Sequence, residues 1–256
     1  MILTRLGNKR QLAQTIYRHF PNHRMRIDLF FGAGGLFFYS PKAAFNILND
    51  LDDDVTNLFL ILKERKEDLY QALELLPISS SLVQHWKKQQ ETDPLQKAIR
   101  FLFLSNFTYL GKGDTLRLGL DNTKARLLTR IEPTFEALKN TKITNYDFRE
   151  VLGKISFSRT VLDKEKAFVY LDPVYLETEH CYKVPNWTQK ESLDCFDIMS
   201  HSGIKCAMSE FDHPFILAEA KRRGFNIIPI RERQNIKNRK MELLITNYQP
   251  IQRTLF

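Results

Sequence analysis

The sequence predicts an α/β fold: a mostly parallel sheet whose strands alternate with helices, interrupted by a long helical insertion. Three observations carry that expectation. Short apolar runs alternate with helically spaced segments toward both ends of the chain, and this rhythm implies parallel strands joined by crossovers. From residue 54 the spacing becomes helical for most of the middle of the chain. The 256 residues suffice for one large domain, or for one core domain carrying a sizeable insertion.

The elements follow in order. Residues 10–20 place Leu12, Ala13, Ile16, Tyr17 and Phe20 at helical spacing, and Pro21 ends the helix. R-I-D-L-F-F (26–31) reads as a strand and runs into G-A-G-G. A-A-F-N-I-L (43–48) is a second short run, closed by N-D-L-D-D-D. Residues 54–76, S-S-S-L-V-Q-H-W-K-K-Q and P-L-Q-K-A-I-R-F-L-F-L-S-N-F are helical patterns, a segment expected to stand apart from the sheet. G-K-G-D-T-L-R-L-G (111–119) reads as a glycine-rich basic loop, and 122–139 as another helix. The α/β rhythm then returns. K-I-T-N-Y-D-F, F-V-Y-L-D, I-K-C-A-M-S-E, F-N-I-I-P-I and K-M-E-L-L-I-T-N-Y read as strands. Residues 188–200 and 213–224 read as helices, the second stopped by Gly224. There is no internal repeat and no low-complexity tail.

Composition narrows the class. A hydrophobic content of 43%, a charged content of 27% and 19 Phe describe a soluble globular protein with a substantial core. Lys plus Arg outnumber Asp plus Glu by 38 to 30, a net charge of +8, which favours polyanionic partners, nucleic acid first. Cys181, Cys195 and Cys206 are odd in number and form no C-x-x-C, so reduced thiols and a cytoplasmic location are expected. The six His are scattered, without a spacing such as H-E-x-x-H, and no metal is expected. The first residues lack a signal peptide's apolar run, and no apolar stretch is long enough to span a bilayer. Trp86 and Trp187 are assigned to packing, since no motif places them at a site.

Three short stretches carry candidate chemistry. In D-L-F-F-G-A-G-G (28–35), glycines after a strand let backbone approach a ligand closely. A plain strand-to-helix turn would use the same residues. Asn49 and Asp50 end the next apolar run, where an acid can accept hydrogen bonds from ribose hydroxyls. Asp52, Asp53 and Asp54 read instead as carboxylates favouring a helix start. In F-V-Y-L-D-P-V-Y-L (168–176), Asp172 falls where ligands of open parallel sheets bind, beyond a strand's carboxyl end. Pro173 fixes its own φ and restricts Asp172 to extended conformations. The Pro173 carbonyl is a second acceptor, and Tyr175 adds a flat face. Together they can clasp the exocyclic amino group of a planar base. An ordinary Asp-Pro turn would look the same in isolation.

In this order and spacing the stretches resemble the DNA adenine methylase family, the α-group, D12-class N6-adenine DNA methyltransferases with a D-P-P-Y signature. L-G-N-K-R-Q-L resembles that family's N-terminal G-G-K segment, and D-L-F-F-G-A-G-G its methyl-donor loop. L-N-D-L-D-D-D-V-T-N-L-F resembles its N-D segment, N-Y-D-F-R-E-V-L its D-F segment, and M-S-E-F-D and E-L-L-I-T-N-Y its late strands. The resemblance implies a Rossmann-like S-adenosylmethionine-dependent methyltransferase sheet. Residues 1–53 and 141–256 would form the catalytic domain, and residues 54–140 an inserted, mainly helical target-recognition domain. It implies that Gly7, Lys9, Asp28, Phe30, Gly32, Asp50, Asp147 and Phe148 line the site of S-adenosyl-L-methionine. Asp172, Pro173 and Tyr175 would meet the target adenine. Two segments depart from the family. Its D-P-P-Y is D-P-V-Y here, so Val174 replaces a rigid φ and adds an N–H. F-T-Y-L-G-K-G-D-T-L-R (107–117) matches the family only loosely, which leaves the recognition sequence open.

The implied reaction is a direct methyl displacement onto an adenine flipped out of double-stranded DNA. Asp172 and the Pro173 carbonyl would accept the amino N–H bonds as the nitrogen gains positive charge. Tyr175 would stack on the base, a contact worth roughly 1–3 kcal/mol. Lys112, Arg117, Lys124, Arg126 and Arg130 form a candidate phosphate-contacting group, and 231–240 a second basic stretch. Two other readings stand beside this one: a family member that binds donor or DNA without turnover, with Val174 as its mark, and an amino-methyltransferase acting on RNA or protein. A cognate restriction endonuclease is a further partner the family admits; oligomeric state is not legible in one chain.

Overall fold

The structure, a computed structural model, describes residues 2–4, 7–119, 122–157, 163–177, 186–234 and 239–250. Cys181, His180 and residues 235–238 of the basic stretch lie outside them. The strands are β1 (Met25–Asp28), β2 (Phe45–Asn49), β3 (Thr141–Thr144), β4 (Ala167–Leu171), β5 (Lys205–Phe211), β6 (Asn226–Gln234) and β7 (Arg239–Thr246). They form one sheet in the order β3-β2-β1-β4-β5-β7-β6. Strands β1 to β5 pair in parallel, while β7 runs antiparallel to both β5 and β6. The chain leaves β1 for β2 and β3 on one side and then returns to lay β4 on the other edge of β1. A reversal of this kind opens a crevice beyond the carboxyl ends of the two central strands.

The helices are α1 (Ala13–Tyr17), α2 (Gly35–Tyr39), α3 (Asp53–Glu64), α4 (Lys66–Leu75), α5 (Ser80–Lys88), α6 (Pro94–Phe107), α7 (Thr123–Leu138), α8 (Phe148–Val151), α9 (Gln189–His201) and α10 (Pro214–Arg222). Every residue of β1 and β4 is buried, as central strands covered on both faces require. Period-two alternation divides their side chains between the faces. Ile27 and Val169 pack with Phe148, Cys195, Phe196 and Ile216 of α8, α9 and α10. Phe168 and Tyr170 pack on the other face with Ala13, Ile16 and Leu36 of α1 and α2. Arg26 and Asp28 share the parity of that second face.

Helices α3 to α7 lie between β2 and β3 in the chain. Side-chain caps start several of them: Asp52 accepts from the Asp54 N–H, Ser79 from the Leu82 N–H, and Asp93 from the Gln96 N–H ahead of Pro94. The single pattern over 54–76 is two helices, because Arg65 leaves helical backbone at φ −138°, ψ 45°. The segment expected to stand apart packs on the sheet instead. One apolar cluster joins Val55, Phe59, Leu102 and Phe103 to Phe31, Phe37 and Leu48. The ring of Phe31 meets that of Phe59 at 4.9 Å.

Two local expectations change. The strand read over K-I-T-N-Y-D-F stops at Thr144, because Asp147 turns its carboxylate to the Arg149 N–H and starts α8. The basic loop at 111–119 is partly ordered by strand-like pairing: Thr108 bridges Leu116, and the Arg117 N–H donates to the Phe107 carbonyl at 2.8 Å. Among the described residues no helix is long and apolar enough to cross a membrane.

Gly35 begins α2 where the N-terminal segment crosses it. A Cβ there would lie 1.9 Å from Asn8 Oδ1 and 2.9 Å from the Arg10 nitrogen. Asn8 in turn accepts the Arg10 N–H at 2.9 Å and starts the short turn Lys9–Gln11. Gly35→Ala is therefore expected to cost about 1–3 kcal/mol by overpacking. Gly153, where a Cβ meets nothing within 4 Å, is the control, with Gly153→Ala expected within about 0.5 kcal/mol of wild type in urea unfolding. Equal effects at the two positions would show that the Gly35 contact carries no stability.

Candidate active site

A cleft of about 330 Å³ opens beyond the ends of β1 and β4. Its floor begins with the glycine loop after β1. Gly32 has φ +53°, which glycine adopts at no steric cost, and its N–H donates to Asp50 Oδ2 at 2.6 Å. The other Asp50 oxygen accepts the Asp52 N–H at 2.9 Å. Asp50 thus ties the glycine loop to the end of β2 while its carboxylate lines the cleft. Asn49, singled out beside it, has a structural role. Its amide donates to the Leu29 and Tyr146 carbonyls, and its oxygen accepts the Tyr146 N–H.

Asp28 ends β1 with its carboxylate at the cleft. Arg26 Nε donates to Asp28 Oδ1 at 3.0 Å, and Arg26 also reaches the Ser40 hydroxyl. Burial pushes the Asp28 carboxyl up, and the Arg26 guanidinium pulls against it. Asp28 Oδ2 is buried and has no hydrogen-bond partner among the described residues.

Across the cleft, D-P-V-Y follows β4. Asp172 is mostly buried, with Lys9 Nζ at 2.8 Å from its Oδ1. Lys9 Nζ is also 3.5 Å from Glu242 Oε1, donates to the Gly7 carbonyl, and lies 4.6 Å from the centre of the Tyr175 ring. The Tyr175 hydroxyl donates to Glu242 and is 3.3 Å from Asp172 Oδ1. Burial raises the Asp172 carboxyl above its ordinary range, Lys9 opposes that, and Glu242 adds to it. Burial also keeps the Tyr175 phenol protonated, reinforced by Asp172 and Glu242. Glu210, on β5, accepts the Leu176 N–H at 3.3 Å and the Phe211 N–H at 2.8 Å. That anchors the backbone just after Tyr175. Burial pushes the Glu210 carboxyl up to about 8.

Aromatic rings form the remaining wall. Phe30 lies 5.0 Å from Phe148 and 5.6 Å from Trp187, and Phe148 lies 5.7 Å from Trp187. Arg149 fixes this wall by bridging Asp147 of the cleft to Glu191 and Asp194 of α9. Such a wall can pack a planar ring, while the acids beside it receive hydroxyl or amino groups.

The structure brings Gly7, Lys9, Asp28, Phe30, Gly32, Asp50, Asp147 and Phe148 together with Asp172, Pro173 and Tyr175 around this one cleft. It does not bring the five basic residues there. Lys112, Arg117 and Arg126 are exposed on the helical segment, and Arg130 is half-buried. The Lys124 ammonium is spent on the Leu76 carbonyl at 2.9 Å, and Arg117 donates to the Thr123 hydroxyl. Trp86 serves packing as expected, buried against Phe103 at 5.1 Å. Trp187 does more than pack, because its ring lines the cleft. Glu242 and Glu210 escaped the sequence reading. Their only signal is an acid inside an otherwise apolar strand, at E-L-L-I-T and A-M-S-E. Cys195 and Cys206 are buried, and burial pushes the Cys206 thiol up to about 12, so it offers no thiolate nucleophile at neutral pH.

A seven-stranded, mostly parallel sheet with a crevice at its reversal, bearing a glycine loop, strand-end acids and an aromatic wall, defines an α/β protein of the Rossmann-like class. The chain belongs to the D12 class N6 adenine-specific DNA methyltransferase family, whose pattern matches residues 6–236. It is 30% identical over 111 residues to the DNA adenine methylase of Escherichia coli (strain K12), a match covering 41% of this chain and 40% of that protein. It is 32% identical over 111 residues to the DNA adenine methylase of Serratia marcescens, again covering 41% of each. These matches therefore span about two fifths of the length of those relatives. The Type II methyltransferase M1.LlaDCHI of Lactococcus lactis subsp. cremoris matches over 285 residues at 23% identity, covering 94% of this chain and 93% of that one.

The Glu210 shift has a consequence for stability. Its folded value, about 8, lies above the free value of 4.5. The stabilisation is therefore complete below the free value and is lost as pH rises through about 8. Between about pH 5 and about pH 8 this group alone lowers unfolding free energy by up to ~1.4 kcal/mol per pH unit. Glu210→Gln cannot ionise, so its urea unfolding should decline less steeply with pH than that of wild type. Parallel pH slopes for the two proteins would assign the decline to another group.

Proposed function

We propose that the protein transfers a methyl group from S-adenosyl-L-methionine to the N6 amino group of an adenine flipped out of duplex DNA. The observation that carries this reading is Asp172. It is a carboxylate held at the end of β4, beside the Tyr175 ring, in the same cleft as the glycine loop and the aromatic wall. Family membership supports the reaction class.

The residues fit the donor. Asp28, an acid at the end of β1 that lines the cleft, suits an α-ammonium group by its charge. Asp50 suits the ribose hydroxyls, and Phe30, Phe148 and Trp187 suit an adenine ring. When bound, the donor supplies an electrophilic methyl group on a sulfonium. Asp172 and the Pro173 carbonyl act on the target base. An adenine amino group is a weak nucleophile because its lone pair is delocalised into the ring. Two acceptors aimed at its N–H bonds favour the pyramidal nitrogen, and their effect grows as positive charge develops. Tyr175 holds the ring plane, and the apolar wall keeps water from the reacting atoms.

Residues 54–140 are read as the target-recognition unit inserted into a catalytic domain of residues 1–53 and 141–256. Of the five basic residues singled out there, Lys112, Arg117 and Arg126 are exposed and suit a phosphate backbone. In this reading Val174 relaxes the D-P-P-Y loop without removing either acceptor. A partner endonuclease is a second expectation, favoured by the Type II name of the Lactococcus relative.

The test is methyl transfer to adenine-unmethylated duplex DNA, read as N6-methyladenine by mass spectrometry. Wild type should yield product, and Asp172→Ala should lower kcat by about 10²–10³-fold with donor binding retained. Donor and DNA binding without product on any duplex would favour the reading of a family member that binds but does not turn over. Product on RNA alone would move the substrate class.

A further inference from the structure

Glu242 belongs to none of the residues assigned above to donor or base, yet its carboxylate enters the cluster at Asp172. It lies on β7 paired with Phe211, its side chain is fully buried, and its neighbour in parity, Leu244, packs into the face that holds Tyr170. An apolar residue would satisfy that position, and burying a carboxylate there is costly. The acid is instead engaged by the same two groups that engage Asp172: Lys9 and the Tyr175 hydroxyl.

We propose that Glu242 and Lys9 are positioning residues that set the charge of Asp172, with Lys9 bridging two carboxylates so that the trio keeps one net negative charge for the target amino group. The proposal rests on the N6-methylation reading. Its logic is arithmetic. Lys9 with Asp172 alone sums to zero and leaves the incoming N–H bonds a neutralised acceptor. Asp172 with Glu242 alone places two carboxylates in one buried site, where one of them takes up a proton. The three together keep the single negative charge that Asp172 carries by itself, while Lys9 and the Tyr175 hydroxyl fix its carboxylate in place to face the single positive charge that develops on N6. Among the described residues, the charged and titratable groups coupled to Asp172 are Lys9 from the N-terminal segment, Tyr170 from β4, Tyr175 from its own loop, Glu210 from β5 and Glu242 from β7, with Asp28 of β1 one step further off through Tyr170. Tyr170 is bonded to Ser209, and Glu210 to two backbone N–H groups, so their hydrogen bonds fall elsewhere, although the Lys9 charge is felt at Glu210.

The experiment is the pH dependence of kcat for methyl transfer to unmethylated duplex DNA, using the full chain. Wild type, Glu242→Gln, Lys9→Met and the double variant are compared. Glutamine keeps the shape of Glu242 and an acceptor for Tyr175. Glu242→Gln should lower kcat about tenfold or more while donor KM stays within about twofold. Its acid limb should move to lower pH, because a like charge beside Asp172 is gone. Lys9→Met should move the acid limb to higher pH. The double variant should fall between them and recover part of the single losses, since its net charge is again −1. S-adenosylhomocysteine titration establishes that each variant retains its donor site. Should Glu242→Gln fail to fold, the direction of the Lys9→Met shift decides alone. Acid limbs that stay put, or move together in step with melting temperature, would overturn the proposal while leaving an active wild type to sustain the methyltransferase reading. A wild type without methyl transfer removes that reading and this proposal with it.

Discussion

The parallel pairing of β1 with β4 is the constraint from which the rest of the molecule follows. Met25 to Asp28 register against Ala167 to Tyr170, although the glycine loop, β2, the helical segment and β3 all intervene in the chain. Non-local pairing of this kind is held by buried apolar faces on both sides, and it fixes register because a slip of one residue would turn every side chain to the other face. With the register set, Asp28 and Tyr170 lie side by side, and the loops after both strands leave in the same direction. The glycine loop and D-P-V-Y are neighbours for that reason alone. The helical segment can then be large without disturbing the site, since it enters after β2 and returns into β3 at the far edge.

The ends of the sheet concentrate buried charge in two places. Arg26 and Asp28 form one pair at the end of β1, and Lys9, Asp172 and Glu242 form the other cluster where D-P-V-Y leaves β4. Each is expensive to bury and contributes little to net stability. Their value lies in direction: the acids are fixed before any ligand arrives, so alignment costs little when it matters. The same layout explains the N-terminal segment. Lys9 reaches Asp172 from a segment that packs closely on Gly35, where a side chain would meet Asn8 and Arg10 on either side of it.

The parts of this arrangement legible in the sequence are those where a local signal coincides with a topological one. Asp172 is an acid at the end of an apolar run, followed by proline, and strand ends are where such sheets bind ligands. Asp50 and the glycine loop obey the same rule. Glu242 and Glu210 obey a different one. Their significance depends on which strand β7 pairs with and on the parity of that pairing, and nothing within E-L-L-I-T-N-Y states either. Trp187 was invisible for a similar reason, since the wall it joins is assembled from Phe30 and Phe148, far away in the chain. Among the basic residues, composition counts charges but not their partners, and Lys124 is turned inward to a carbonyl while Arg126 is exposed. The helical segment was legible as helices, but its seat on the sheet depends on Phe31 and Phe59 meeting.

The placement of the two tryptophans divides the molecule into separately observable halves. Trp86 is sealed in the helical cluster, with its indole N–H on Glu91, whereas Trp187 stands at the cleft with its N–H on Ser192. Intrinsic fluorescence therefore contains one reporter for the integrity of the inserted helices and another for occupancy of the cleft. Removing either tryptophan leaves the other as a single-site probe, so loosening of the helical segment and filling of the cleft become distinguishable in one cuvette without any label.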